Sequence, residues 1–192
     1  AAGLLRQKAA DHLLEPLPFG ASSNLAAHAN LGAAIRDVDQ AAAGPTDSQS
    51  AEIVVTANTV DVEAGKEAKA KSKNKEVRKF AQQMITDHTA VNKSAVDLVT
   101  KLKVTPEESD TSRSLKKGGD ENIAKLKTLK GKAFDKAYVD HEVAYHQAVI
   151  DALDKTLIPS AQNAELKALL VKVRPAFVAH LEHAQHIQST LK

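Results

Sequence analysis

The sequence predicts an all-α protein, a four-helix bundle over residues 51–192 behind an N-terminal arm of residues 1–50, and three observations carry that prediction. Aromatic residues make up only 3% of the 192, Trp is missing, and Ala, Lys, Leu and Val dominate, a composition that favours helices over sheets. Apolar residues recur with the helical period in four long stretches. Pro, Gly, Ser and Asn punctuate the links between them.

Each element has its own signal. The arm holds a helical stretch at Leu4–Leu14, then Glu15-Pro16-Leu17-Pro18-Phe19-Gly20, then an Ala-rich stretch ending at Gly44-Pro45, all pieces too short to stand alone. Its apolar residues, Leu4, Leu13, Phe19 and Ile35 among them, are too scattered for one core and are expected to fold against a partner. The first helix is predicted over Ala51–Ser72, after the capping-type run Thr46-Asp47-Ser48. The second runs over Lys75–Val104 and ends at Thr105-Pro106. A Ser-, Lys- and Gly-rich connection follows, with a short helix near Glu121–Leu129. The third helix covers Lys132–Leu157 and stops at Ile158-Pro159, and the fourth covers Ala161–Leu191. Short links make neighbours antiparallel, giving up-down-up-down topology.

The apolar faces carry polar residues that chemistry must explain. In the second helix Val77, Phe80, Met84, His88, Val91, Ala95 and Leu98 share a stripe with His88 in its middle. In the fourth, Leu166–Val173–His180–Ile187 and Leu170–Phe177–Ala184–Leu191 form a seam of period seven. The third helix turns Phe134, Tyr138, Glu142, Tyr145 and Val149 inward, with His146 on the shoulder, and the first turns Asp61 inward. Asp61 lies 13 residues before Asn74 and His88 lies 14 after it, which puts them level. Glu142 lies 17 residues before Pro159 and His180 lies 21 after it, a mismatch of about 6 Å that sets Tyr138 level with His180.

Asp61, His88, Glu142, His146 and His180 are therefore the candidate metal ligands, a set suited to zinc, iron, manganese or copper. Two readings stay open at this stage. One is a bound transition metal. The other is a metal-free layer in which Asp61 and Glu142 pair as ions with His88 and His180, which would raise the histidine pKa values and depress those of the acids. His183 and His186 turn away from the seam and read as surface residues.

Composition excludes several classes. With 26 Lys plus Arg against 24 Asp plus Glu, the charge gives no reason to expect nucleic acid. No Cys means no disulfide, thiolate metal site or iron–sulfur cluster. No apolar run is long enough to span a bilayer, so membrane contact is expected only through partners. The start Ala1-Ala2-Gly3 has the small residues left by signal-peptide cleavage, so export is expected. There is no phosphate loop and no arrangement for nucleophilic catalysis, and the chain is expected not to be catalytic by itself.

Asp61-Val62-Glu63-Ala64-Gly65-Lys66, Glu76-Val77-Arg78-Lys79-Phe80-Ala81, Met84-Ile85-Thr86-Asp87-His88, Phe134-Asp135-Lys136-Ala137-Tyr138, His146, Pro175 and His180-Leu181 together resemble the exported bacterial family known as domain of unknown function 4142. The resemblance covers residues 51–192 and none of the arm. It implies a periplasmic ferritin-like bundle, with His88, His146 and His180 at the family's anchor positions. Position 61, usually Glu in that family, is Asp here, and His141 stands where an acid is common. Some proteins of this kind are small subunits of membrane-bound quinohaem alcohol dehydrogenases. The resemblance thus implies a non-catalytic accessory subunit that grips larger periplasmic subunits with its arm; a free-standing metal-binding protein is the alternative.

Overall fold

A computed structural model describes residues 44–191. Of the expected arm, residues 1–43 lie outside the described residues. Among the described residues every regular element is helical, and no helix is long and apolar enough to cross a membrane.

Capping fixes where the helices begin. Thr46 accepts from the Gln49 amide while the Gln49 side chain accepts from the Thr46 amide, so α1 runs Asp47–Lys71. Asn74 accepts from the amides of Glu76 and Val77 and starts α2, Lys75–Leu102, only three residues after α1 ends. Lys103 then closes that helix in the left-handed region, at φ 56°. Asn163 caps α5, Ala164–Thr190, in the manner of Asn74.

The connection after α2 departs from expectation. In place of a short helix near Glu121, α3 spans Asp110–Thr128, opened by a reciprocal Ser109/Ser112 cap. Gly118-Gly119 reads as linker in the sequence, but Gly119 is where α3 presses on α1: a Cβ there would sit 2.6 Å from Val60 Cγ2. Leu115, Gly119, Asn122 and Leu126 form its buried stripe at i, i+4, i+7 and i+11. The next helix, α4, spans Gly131–Ala152 and continues through a π-helical turn, Leu153–Leu157, and a last helical turn, Ile158–Ser160.

α1 packs chiefly on α2 and α3, α4 packs on α5, and α2 meets α5. Two apolar clusters result. One gathers Val54, Ala57, Leu115, Tyr145, Leu153, Leu170 and Phe177; the other gathers Ala64, Phe80, Met84, Leu126, Phe134, Tyr138 and Ala184. On α1, α2, α4 and α5 a polar residue lies at or within a turn of the boundary between them: Asp61 between Val60 and Ala64, His88 between Met84 and Ala95, Glu142 between Val139 and Tyr145, and His180 one turn before Ala184. The fold therefore sandwiches one polar layer between two hydrophobic halves.

Candidate metal centre

All five residues predicted as ligands meet in that layer, and each is buried. The three imidazole rings lie 5.1–5.5 Å apart centroid to centroid, and Phe177 closes one side of them at 5.0 Å from His88. Asp61 Oδ2 is 3.2 Å from His88 Nε2 and 3.5 Å from His146 Nε2, and Glu142 Oε2 is 3.5 Å from His146 Nδ1. His146, expected on the shoulder of α4, is fully buried. The expected level mismatch is also corrected. Ala161-Gln162-Asn163 forms the link to α5, so the fold-back point lies beyond Pro159. Each residue by which the pivot moves shifts the level opposite His180 by two, away from Tyr138 toward Glu142 and His146.

The hydrogen bonds fix which nitrogen of each ring is free. Asn58 donates its amide to the Val54 carbonyl at 2.7 Å, so its Oδ1, 2.7 Å from His88 Nδ1, must accept from that ring. His146 Nδ1 donates to the Glu142 backbone carbonyl at 3.0 Å. His180 Nε2 donates to Asp87 Oδ2 at 2.8 Å. The remaining nitrogens, His88 Nε2, His146 Nε2 and His180 Nδ1, are buried with no hydrogen-bond partner, as are both Asp61 oxygens and Glu142 Oε2. Each ring thus uses its outer N–H to aim an inner lone pair, the arrangement by which proteins orient metal-binding histidines. Buried polar atoms are seldom left unpaired, and here three imidazole nitrogens and two carboxyl groups converge with too few protons between them to pair every one.

Burial, not ion pairing, sets the protonation states. Asp61 is pushed up to about 8 by burial, with the neighbouring Glu142 carboxyl opposing the rise. Burial, with the neighbouring Asp61 charge, holds Glu142 well above the carboxylate range. His88 is lowered by burial and by His146 and His180, and His146 falls to about 3 for the same kind of reason. His180 is lowered by burial in spite of Asp87. The metal-free ionic layer is therefore corrected in direction: the histidines are neutral bases and the acids hold protons, because desolvation outweighs attraction at this depth. His180 also pairs with Asp87 and not with Glu142.

Two groups of three residues each bring ligand atoms within 4.8 Å of one another: His88, His146 and His180, and Asp61, Glu142 and His146. These groups can hold a metal ion. His146 belongs to both but has one nitrogen to offer, since Nδ1 is committed to the Glu142 carbonyl. Sequence reasoning missed Asn58 and Asp87, the residues that set two of the three tautomers. It also missed the hydrogen bond from Tyr145 to the Ala57 carbonyl, 2.7 Å, which ties α4 to α1 just below Asp61. His186 is exposed, as the helical period puts it, whereas His183, expected at the surface, is half-buried with its ring edge-on to Phe80 and its Nδ1 3.2 Å from Gln83 Oε1.

Fold and site together define an all-helical protein whose core carries a histidine–carboxylate cluster able to hold a metal. The chain belongs to the family described as a domain of unknown function (DUF4142), which matches residues 33–187 and so begins inside the stretch expected to be arm. No curated protein and no solved structure was found to match the chain.

Proposed function

We propose that this chain is a metal-binding protein of ferritin-like architecture, in which α1, α2, α4 and α5 make an up-down-up-down four-helix bundle and α3 is an addition across α1. His88, His146 and His180 hold one transition-metal ion, with Asp61 or Glu142 completing its shell. The observation that carries this is the set of inner lone pairs, each aimed by an outer hydrogen bond and each without a partner. Nitrogen and oxygen donors with no sulfur suit zinc, ferrous iron, manganese or copper(II). One ion per chain follows from the single free nitrogen of His146.

The neutral imidazoles need lose no proton to bind. The carboxyl groups do, so the chain releases protons as it takes up metal. This reading takes precedence over the accessory-subunit expectation because its donors are among the described residues, whereas residues 1–43 of the arm are not. Export and a partner for the arm remain separate proposals.

The chelator-treated chain, titrated with each of the four ions and dialysed, is expected to retain about one equivalent of at least one of them. His146→Ala should retain none while keeping its helical circular dichroism. A folded wild-type chain that binds no ion at one equivalent, or a His146→Ala variant that binds as tightly as wild type, overturns the proposal.

A further inference from the structure

An apolar pocket of about 30 Å³ lies beside the histidine layer, in the half of the core that contains α3 and the π-helical turn. A water-sized sphere needs roughly 10–15 Å³, so the pocket takes about two, and it is far below the roughly 150 Å³ of a cavity that admits benzene. An organic substrate does not fit; a diatomic molecule does. Nor is the space suited to water, which needs two to four polar partners. Its wall is built from buried Ile53, Val54, Val149 and Leu153, and none of its polar side chains has a buried atom lacking a hydrogen bond. Asn58, on the same wall, gives an amide N–H to the Val54 carbonyl and accepts with its oxygen from His88.

Two observations tie the pocket to the centre. Phe177 lines it, and the same ring stands 5.0 Å from His88 and 5.9 Å from His146. Leu153, Thr156 and Leu157 of the π-helical turn also line it. A π-helical turn widens a helix by one residue and re-aims the side chains that follow, and such turns gather at functional sites. Close-packed interiors leave few such spaces, and one lined without a polar atom stays dry and takes up apolar solutes.

We infer that this pocket binds one apolar diatomic molecule, dioxygen, against the Phe177 face of the histidine layer. Dioxygen is the apolar gas that a redox-active ion on nitrogen and oxygen donors would meet. Its relevance to the centre rests on the metal-binding proposal; its occupancy of the pocket does not.

The test uses the full-length, metal-free chain with ¹³C-labelled Ile, Leu and Val methyl groups, equilibrated under dioxygen. Paramagnetic relaxation of the Ile53, Val54 and Leu153 methyls should rise several-fold more than that of Leu126 and Ile187 in the other cluster, and more than that of Ile150 and Leu166, which are buried to a similar degree in the same cluster but do not line the pocket. Xenon, competing for the same space, should shift the pocket methyls and suppress their dioxygen effect, an arm that needs no substitution. Leu153→Phe should abolish the effect at Ile53 and Val54 and leave Leu126 and Ile187 unchanged. Equal relaxation in both clusters, or magnetisation transfer from bound water to the pocket methyls, overturns the inference. Because no metal is present, either result leaves the metal-binding proposal untouched, and a chain that binds no metal can still pass.

Discussion

Asp61 and Asp154 are the same side chain beside a nitrogen base, yet their acidities move in opposite directions. Asp154 lies on the surface, 39% exposed, and takes a bidentate pair from Arg174, one arm of it at 2.6 Å; the guanidinium holds it below the ordinary carboxylate value. Asp61 faces His88 at 3.2 Å with its side chain out of reach of solvent, and rises to about 8. The surface base is charged in water at no great cost, while the buried one would lose its hydration along with the acid. Proximity of acid to base therefore says little about ionisation until depth is known. On the metal-binding proposal, the core pair stays neutral until a divalent cation takes the place of its protons.

The sharpest way to break this contrast is Asp61→Asn. It keeps the volume of the side chain and removes the negative charge, so metal affinity should fall by more than the roughly 10–100-fold typical of losing an outer hydrogen bond. Calorimetric titration measures it. Affinity equal to wild type would mean that Asp61 takes no part in binding.

Next in size is the pH dependence of the metal-free chain. His146, lowered from 6.5 to about 3, contributes stability that is present above 6.5 and lost as pH falls toward 3. Asp61, raised from 3.8 to about 8, contributes stability that is present below 3.8 and lost as pH rises toward 8. Between 3.8 and 6.5 the two slopes oppose each other. Above 6.5 only the acids act, Glu142 with the same sign as Asp61, and stability should fall as pH rises toward 8. Urea denaturation across that range reads it directly. A chelated chain equally stable at both ends contradicts the protonated core, and a metal-loaded chain should lose the alkaline fall.

Asn58→Leu and Asp87→Ala sharpen the comparison at an intermediate level. Each frees the outer N–H of one ring without removing a ligand, and each should weaken metal binding about 10–100-fold. The effect of Asp87→Ala should shrink in high salt, since that carboxylate is 41% exposed. The smallest effect belongs to the surface: Asp154→Ala should change unfolding free energy by less than about 1 kcal/mol and leave metal affinity unaltered.

What the sequence made legible followed from periodicity. The inward turn of Asp61, His88, Glu142 and His180 could be read because each sits alone on an apolar stripe. His146 was placed too far out because α4 was given one contact face. It packs against α5 on one side and α1 and α3 on the other, so its buried surface widens to include Asp135, His141 and His146. Asn58 and Asp87 gave no stripe to follow. Their work is to orient a neighbour through one hydrogen bond, and a polar residue one turn from a ligand is indistinguishable by spacing from an ordinary one. Likewise Gly119 carries two opposite meanings, chain break or close approach, and only the facing Val60 decides between them.

The donors are divided between two hairpins. Asp61 and His88 come from α1 and α2, and Glu142, His146 and His180 come from α4 and α5, while packing is denser within each pair than between α2 and α5. An ion bound in the layer is therefore a rivet across the seam of the molecule. Loaded, the halves must part together; stripped, either hairpin is free to open first, and the seam becomes the line along which the chain breathes and along which a protease would find it.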